Sequence, residues 1–459
     1  MSSIAIIGGG PAGYVAAITA AQQGENVTLI DKGSLGGTCL NEGCMPTKTL
    51  LESARVYQEC QHLEKFGIHL PDGSIEINWK SILNRKSKII SSLVQGIQYL
   101  MKKNKINVIK GEARFKRSHE LEIYSEGKLT EFQANQYIIA TGSEPIQLPF
   151  APFDSEWIID SSQAMSLDSI PSSLLVIGGG VIGCEFASIF SRIGTKVTIV
   201  EMAEQILLGE DRDIATILHQ QLEHDGVNIY PSTALKNLDK AKRKATLENK
   251  QGPFELQADV VLVSIGRKPR LEHLGLKDIG VDFSTSGIFV NNQMRTNVEN
   301  VYACGDVIGG IQLAHVAFHE GTIAALNACG LDEQVNYRAV PRCIYTLPEV
   351  ASVGLTEKEA RETYGDIRIG EFPFSANGKA MIADAPFGKV KVLIEPKYGE
   401  IIGISIIGHH ATELIAQGTV MLHAELTIDL LENMITAHPT LSEAIQEALL
   451  SAIGNAVHA

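Results

Sequence analysis

Two stretches of the chain carry the same alternation of apolar runs and polar breaks. Residues 4–31, IAIIGGGPAGYVAAITAAQQGENVTLID, align without a gap to residues 174–201, LLVIGGGVIGCEFASIFSRIGTKVTIVE, at a constant offset of 170. In each copy a short apolar run reads as a buried strand, a glycine cluster as a turn, and a segment of small and apolar residues as a helix. A second apolar run, entered through Gly24 or Gly194, reads as a strand that ends in an acid, Asp31 or Glu201. Such repeated strand–helix–strand units predict an α/β fold with parallel sheets. Near the C-terminus Leu441, Ile445, Ala448, Leu449 and Ala452 fall at helical spacing behind His438 and Pro439, and Thr440-Leu441-Ser442-Glu443 has the pattern of a capping box.

Length and charge narrow the classes. At 459 residues the chain is too long for one core and suggests about three domains, while 44 % hydrophobic and 20 % charged residues describe a folded protein. Counting 39 Lys and Arg against 53 Asp and Glu gives a net charge of −14, which opposes nucleic acid and anionic lipid. The opening MSSIAIIGGG has no basic leader, and no run reaches the about 18 apolar residues of a membrane span, so the cytoplasm is the simplest placement.

Each glycine cluster reads G-x-G-x-x-G: Gly8, Gly10 and Gly13, then Gly178, Gly180 and Gly183. The first glycine permits the tight turn, the second lets backbone approach a pyrophosphate, and the third lets helix and strand pack closely. Asp31 and Glu201 lie 23 residues past the first glycines, near the spacing at which a carboxylate holds a ribose diol. Two such units predict two dinucleotides, and a flavin beside a nicotinamide is the natural electron-transferring pair. Glu201 would repel a 2′-phosphate, and Met202 to Gln205 include no arginine, which predicts NAD rather than NADP. The glycines alone leave open which unit takes which cofactor.

Seven cysteines, an odd number, argue against a secreted disulfide framework. Cys39 and Cys44 stand five positions apart just beyond the first unit. An ideal helix would separate them by roughly 7.5 Å, beyond disulfide reach, so a bridge needs an irregular start, which Gly43 and Pro46 can supply. A redox disulfide, a zinc half-site and simple packing all remain open, although the spacing is not C-x2-C and no second metal-spaced cluster follows. Lys48 is either a charge favouring thiolate or a solvated surface lysine.

Taken together, GGTCLNEGCMPTK at 36–48, ATGS at 140–143, SIGRKP at 264–269, TNVENVYACGD at 296–306, TLPEVASVGLTE at 346–357 and AHPTLSEAIQEA at 437–448 resemble the flavoprotein disulfide reductases, the class-I pyridine nucleotide-disulfide oxidoreductases, end to end and in the family's order. Within them the resemblance is strongest to the branch that oxidises dihydrolipoamide. It implies two Rossmann-like domains, for FAD and NAD, plus a C-terminal α+β dimerisation domain. The implied limits are 1–146 and 271–338 for a discontinuous FAD domain, 147–270 for the NAD domain and 339–459 for the interface domain.

The same resemblance implies that Cys39 exchanges with a dithiol, that Cys44 lies against the flavin as the charge-transfer thiolate, and that Lys48 pairs with Glu185. It implies FAD contacts from Gly8, Gly10, Gly13, Asp31, Gly37, Thr38, Lys48, Ala113, Thr141, Gly142, Ser143, Asp306 and Ala314. NAD contacts are implied for Gly178, Gly180, Gly183, Glu185, Glu201 and Gly266. His438 would accept the dithiol proton with Glu443 fixing its tautomer, reaching across a homodimer into the partner subunit's site. Expected partners are the lipoyl carrier domain and the subunit-binding domain of a 2-oxo-acid or acetoin dehydrogenase complex. A glutathione-like or mercuric reductase, an NADH oxidase or peroxidase, and a non-catalytic cofactor-binding subunit are the rivals. Asp31 stands where Glu is usual, and Met45 and Thr47 where Ile and Ser are commoner.

Overall fold

The repeated sequence folds as a repeated structure. In the computed structural model, which describes residues 3–69 and 75–458, strand Ser3–Ile7 runs parallel to Asn26–Asp31 with Ser3 opposite Asn26. Strand Ser173–Ile177 runs parallel to Lys196–Val200 with Ser173 opposite Lys196, the same register 170 residues on. The intervening helices, Pro11–Gln22 and Val181–Arg192, also superpose in number. The first and last positions of the expected domain limits, 1 and 459, lie outside the described residues.

Each unit seeds a five-stranded parallel sheet. The first has the order Val301–Ala303, Gln136–Ile139, Ser3–Ile7, Asn26–Asp31, Asn107–Lys110. The second has the order Asn228–Tyr230, Lys196–Val200, Ser173–Ile177, Val260–Val263, Ile158–Ile159. Both central strands are covered on both faces, which is why they read as unbroken apolar runs. The chain leaves the first sheet, builds the second, and returns to lay Val301–Ala303 beside Gln136–Ile139. The outgoing and returning segments, Ser143–Pro145 and Arg267–Pro269, pair antiparallel.

Small side chains set the spacing in the first unit. Helix Pro11–Gln22 packs along helix Ala314–Ala328 through buried Ala12, Ala16, Ala317 and Ala324. A Cβ at Gly321 would lie 2.3 Å from the carbonyl oxygen of Ala12, so the two backbones touch there and only glycine fits.

The third layer is an antiparallel sheet in the order Arg342–Ile344, Glu349–Gly354, Ile401–Gly408, Lys389–Ile394, Arg368–Pro373. Helices Ala411–His423 and Glu443–Ser451 bury Leu414, Ile415, Ile445 and Leu449 against it, each such side chain contributing about 1.5–3 kcal/mol. The last helix begins at Glu443 rather than directly after Thr440. The Thr440 hydroxyl donates to the Ala437 carbonyl (2.8 Å), so only the glutamate half of the expected capping box forms, with Glu443 Oε2 accepting from Thr440 N–H at 2.8 Å.

Candidate active site

The two glycine turns face one continuous cleft of about 2220 Å³, with the cysteine segment along its wall. Gly8 and Gly178 adopt φ of 107° and 106°, left-handed conformations that favour glycine. Gly13 and Gly183 sit inside the helix–strand contact: an added Cβ would lie 1.8 Å from Gly8 O and 2.0 Å from Gly178 O. Gly10 and Gly180 differ. Their φ values of −72° and −74° suit any residue, and an added Cβ meets nothing closer than Gly37 Cα at 3.8 Å in one case and nothing within 4 Å in the other. Neither packing nor conformation requires glycine there, so the requirement comes from something that approaches the turn from the cleft, as a pyrophosphate does. The residues present therefore fit two dinucleotides.

The terminal acids brace these turns. Glu201 accepts from Gly179 N–H at 2.6 Å and from Ala203 N–H at 2.7 Å. Asp31 makes the corresponding pair, accepting from Gly9 N–H and, at 2.6 Å, from Gly33 N–H, so the shorter acid keeps the same two backbone partners. Gly37, Thr38, Thr141, Gly142, Gly266 and Ala314 also line the cleft. Ala113 lies apart from that lining, buried with Phe115 and Leu121 in the core behind the first sheet.

The cysteine segment is two helices, Gly37–Glu42 and Cys44–Gln61, broken at Gly43, whose φ of −152° and ψ of −108° belong to neither. That break supplies the irregular start, and it brings the two thiols near enough for each to shift the other's protonation. The Thr47 hydroxyl donates to Gly43 O at 2.6 Å and ties the break to the next turn. Cys44 is the first residue of an 18-residue helix, where the dipole favours a thiolate. The hydrogen bond from Cys39 lowers the Cys44 thiol to about 7; burial opposes this, and the charge of Lys48 assists it. Cys39 is pushed the other way, first by donating to Cys44 and then by burial, and keeps its proton.

Lys48 stands one turn on, with Nζ 2.8 Å from both oxygens of buried Glu185. Glu185 comes from helix Val181–Arg192, which packs against the cysteine helix around Leu50, Leu51, Phe186 and Phe190. Tyr345 N–H donates to Glu185 at 3.0 Å, and the Tyr345 ring lies 4.4 Å from Lys48 Nζ. Sequence reasoning named neither Tyr345 nor Arg267. Arg267 donates to Ser143 Oγ (2.8 Å) and Ser143 O (2.9 Å), and the Ser143 hydroxyl donates to Asp306 at 2.5 Å. Arg267 stands in the quoted SIGRKP, but nothing in that motif shows that it meets residues 124 and 39 positions away.

His438 and Glu443 are joined to each other, Nδ1 to Oε1 at 2.8 Å, but do not line the cleft that holds the cysteines of their own chain. The His438 side chain is 79 % exposed. Burial pushes the Glu443 carboxyl up, but the Thr440 N–H and His438 outweigh it and hold it below its usual range. Among the described residues no cluster of three or more His, Cys, Asp or Glu could hold a metal ion, and no helix is long and apolar enough to cross a membrane.

This architecture has known counterparts. The chain is 57 % identical over 457 residues to the dihydrolipoyl dehydrogenase of Bacillus subtilis (strain 168), covering 100 % of both. It is 40 % identical to the mitochondrial dihydrolipoyl dehydrogenase of Pisum sativum, covering 100 % of this chain and 92 % of that one. Among solved structures, LpdA of Mycobacterium tuberculosis superposes with a TM-score of 0.90 at 28 % identity, over 98 % of this chain and 99 % of that one. The HOCl-induced flavoprotein disulfide reductase RclA of Escherichia coli superposes at 0.86 and 28 % identity, over 97 % and 99 %. Residues 2–321 match the pyridine nucleotide-disulphide oxidoreductase model and residues 340–449 match that family's dimerisation domain, the antiparallel layer described above. With both glycine turns, the broken cysteine helix and the third layer each accounted for, the chain belongs to the pyridine nucleotide-disulphide oxidoreductase family.

Proposed function

We propose that this protein oxidises dihydrolipoamide to lipoamide with NAD+ as final acceptor. The observation that carries the reading is the asymmetric thiol pair: Cys44 poised near neutrality by Cys39 and Lys48, in a cleft walled by two nucleotide turns. A dithiol substrate attacks Cys39 in the oxidised pair, breaking the Cys39–Cys44 bond and releasing the Cys44 thiolate; closure of the substrate disulfide then releases Cys39. Two electrons thus enter the cysteine pair, and two protons leave the substrate. FAD held by the first turn would supply a two-electron acceptor for the reduced cysteine pair, with NAD+ at the second turn as the final hydride acceptor.

The chain's own residues set the direction. Lys48 stabilises negative charge at Cys44, and Glu185 fixes Lys48. The first turn, with Asp31, Thr38, Ser143, Asp306 and Ala314, would hold FAD; the second, with Glu201 and Gly266, would hold NAD. His438 would take the substrate proton and Glu443 would hold its tautomer. Because these two residues stand outside the cleft of their own chain, they would serve the partner subunit's cysteine pair in a homodimer. The carrier domain of a 2-oxo-acid or acetoin dehydrogenase complex, in the cytoplasm, would deliver the dithiol, and that complex's subunit-binding domain would hold the dimer.

Steady-state turnover tests this directly. Purified protein with bound flavin should reduce NAD+ with dihydrolipoamide and leave glutathione disulfide and mercuric ion untouched with either reduced nicotinamide. Turnover of those acceptors with NADPH, or protein without flavin, would overturn the reading.

A further inference from the structure

The stretch after Glu201 has no part in the chemistry above, yet it is tied at both ends. Leu207 N–H donates to the carbonyl of Gly179, the middle of the second glycine turn, at 2.9 Å, and Leu207 to Glu210 form a wall of the cleft. The first unit makes the corresponding bond, Gly36 N–H to Gly9 O at 2.8 Å, and there the chain continues directly into the helix of Cys39. In the second unit the chain continues instead into helix Arg212–His224, and the side chains around the start of that helix meet the antiparallel sheet of the dimerisation domain.

Four carboxylates make that junction. Glu210 accepts from Arg342 Nε at 3.0 Å and from the Ser352 hydroxyl at 2.6 Å. Asp211 accepts from Glu357 N–H at 2.8 Å, and its other oxygen lies 3.2 Å from Lys391 Nζ without hydrogen-bond geometry. Lys391, whose side chain is only 2 % exposed, also meets Asp213 at 3.2 Å and Glu357 at 2.7 Å. Lys389 reaches the second oxygen of Asp213 at 2.7 Å. A buried cation among paired carboxylates is a rigid joint, because removing one member leaves the others desolvated and uncompensated.

We propose that this joint positions the nicotinamide dinucleotide. Lys391, outside the cleft, is a positioning residue that acts through Asp211 and the loop at 203–211 on the Gly178–Gly180 turn. The proposal rests on the assignment of NAD to that turn. It makes nucleotide affinity depend on a charge supplied by the dimerisation domain, which a local account of the glycine motif does not predict.

The test uses the flavin-loaded dimer with Lys391→Gln, Lys391→Arg and Asp213→Asn, titrated with NAD+ and NADH by quenching of protein fluorescence. Lys391→Gln and Asp213→Asn should raise Kd by about threefold to thirtyfold, the range for mutations that act on a site through intervening contacts. Lys391→Arg should restore it. The KM for NAD+ should rise in parallel with kcat unchanged, and flavin reduction by dihydrolipoamide without NAD+ should keep its rate. Unaltered affinity in Asp213→Asn overturns the proposal even if its melting temperature drops, and that variant decides the matter should Lys391→Gln fail to fold. Unmodified protein that binds no NAD+ overturns the nucleotide assignment as well, which separates the two failures.

Discussion

Lys48 holds Glu185 through both carboxylate oxygens at 2.8 Å, and the same ammonium group helps to lower the thiol of Cys44. Lys48→Met therefore acts twice. It removes the cation that favours the Cys44 thiolate and leaves the buried Glu185 beside it uncompensated. The midpoint for alkylation of reduced protein, about 7 in the native pair, should move upward by about one pH unit or more, as expected for loss of an adjacent opposite charge. Iodoacetamide rates followed against pH, with bound flavin measured alongside, check this. An unmoved midpoint would assign the lowering to Cys39 and the helix terminus alone.

Glu201 accepts two backbone N–H groups as well as facing the cleft. Glu201→Arg should therefore lose NAD+ affinity by about tenfold to a hundredfold, the scale of hydrogen bonds to a charged group, before any gain for NADP+ is seen. Glu201→Gln, which keeps one acceptor, should fall between. Titration with both nucleotides separates bracing of the turn from repulsion of a 2′-phosphate.

Much of this was legible before the structure. The offset of 170 predicted both glycine turns, and even the strand register repeats across it, because backbone geometry in a strand–turn–helix unit is dictated locally by glycine and apolar runs. The break at Gly43 was legible for the same reason. The Arg267–Ser143–Asp306 chain was not, because it joins three segments whose proximity depends on how the chain crosses between sheets. Lys391 was invisible too: its charge reads as surface-exposed until the partners that bury it are known.

Subunit sharing has a direct genetic test. Neither His438→Ala nor Cys44→Ser alone should oxidise dihydrolipoamide. Co-expressed in equal amounts, they should regain about a quarter of wild-type activity, because half of a statistical dimer population is mixed and each mixed dimer has one intact site. Cys44→Ser homodimers should also keep their flavin while losing the long-wavelength absorbance a thiolate beside oxidised flavin produces. No recovery on mixing would place the base elsewhere.

Acid should loosen the joint between the second unit and the dimerisation domain. Lys391 lowers the Glu357 carboxyl by hydrogen bonding; burial raises that of Asp213, but Lys389 and Lys391 outweigh it. Carboxyls lowered in the folded state contribute stability above their unfolded values, near 4, and lose it as pH falls through the folded ones. The melting temperature should drop below about pH 4, and Asp213→Asn should flatten that drop. An identical slope in the variant would remove Asp213 from the account.

The two glycines of the second turn make opposite predictions under the same substitution. At Gly183 a new methyl would collide with Gly178 O at 2.0 Å, so Gly183→Ala should destabilise the fold and lower its melting temperature. At Gly180 the methyl meets no protein atom within 4 Å and the backbone is one alanine readily adopts. Gly180→Ala should fold and melt like the native protein, keep its flavin, and bind NAD+ at least about tenfold more weakly, because the methyl occupies the approach of the pyrophosphate. Calorimetric titration beside a thermal scan distinguishes the cases. Native NAD+ affinity in Gly180→Ala would mean that the open face of this turn receives no nucleotide phosphate.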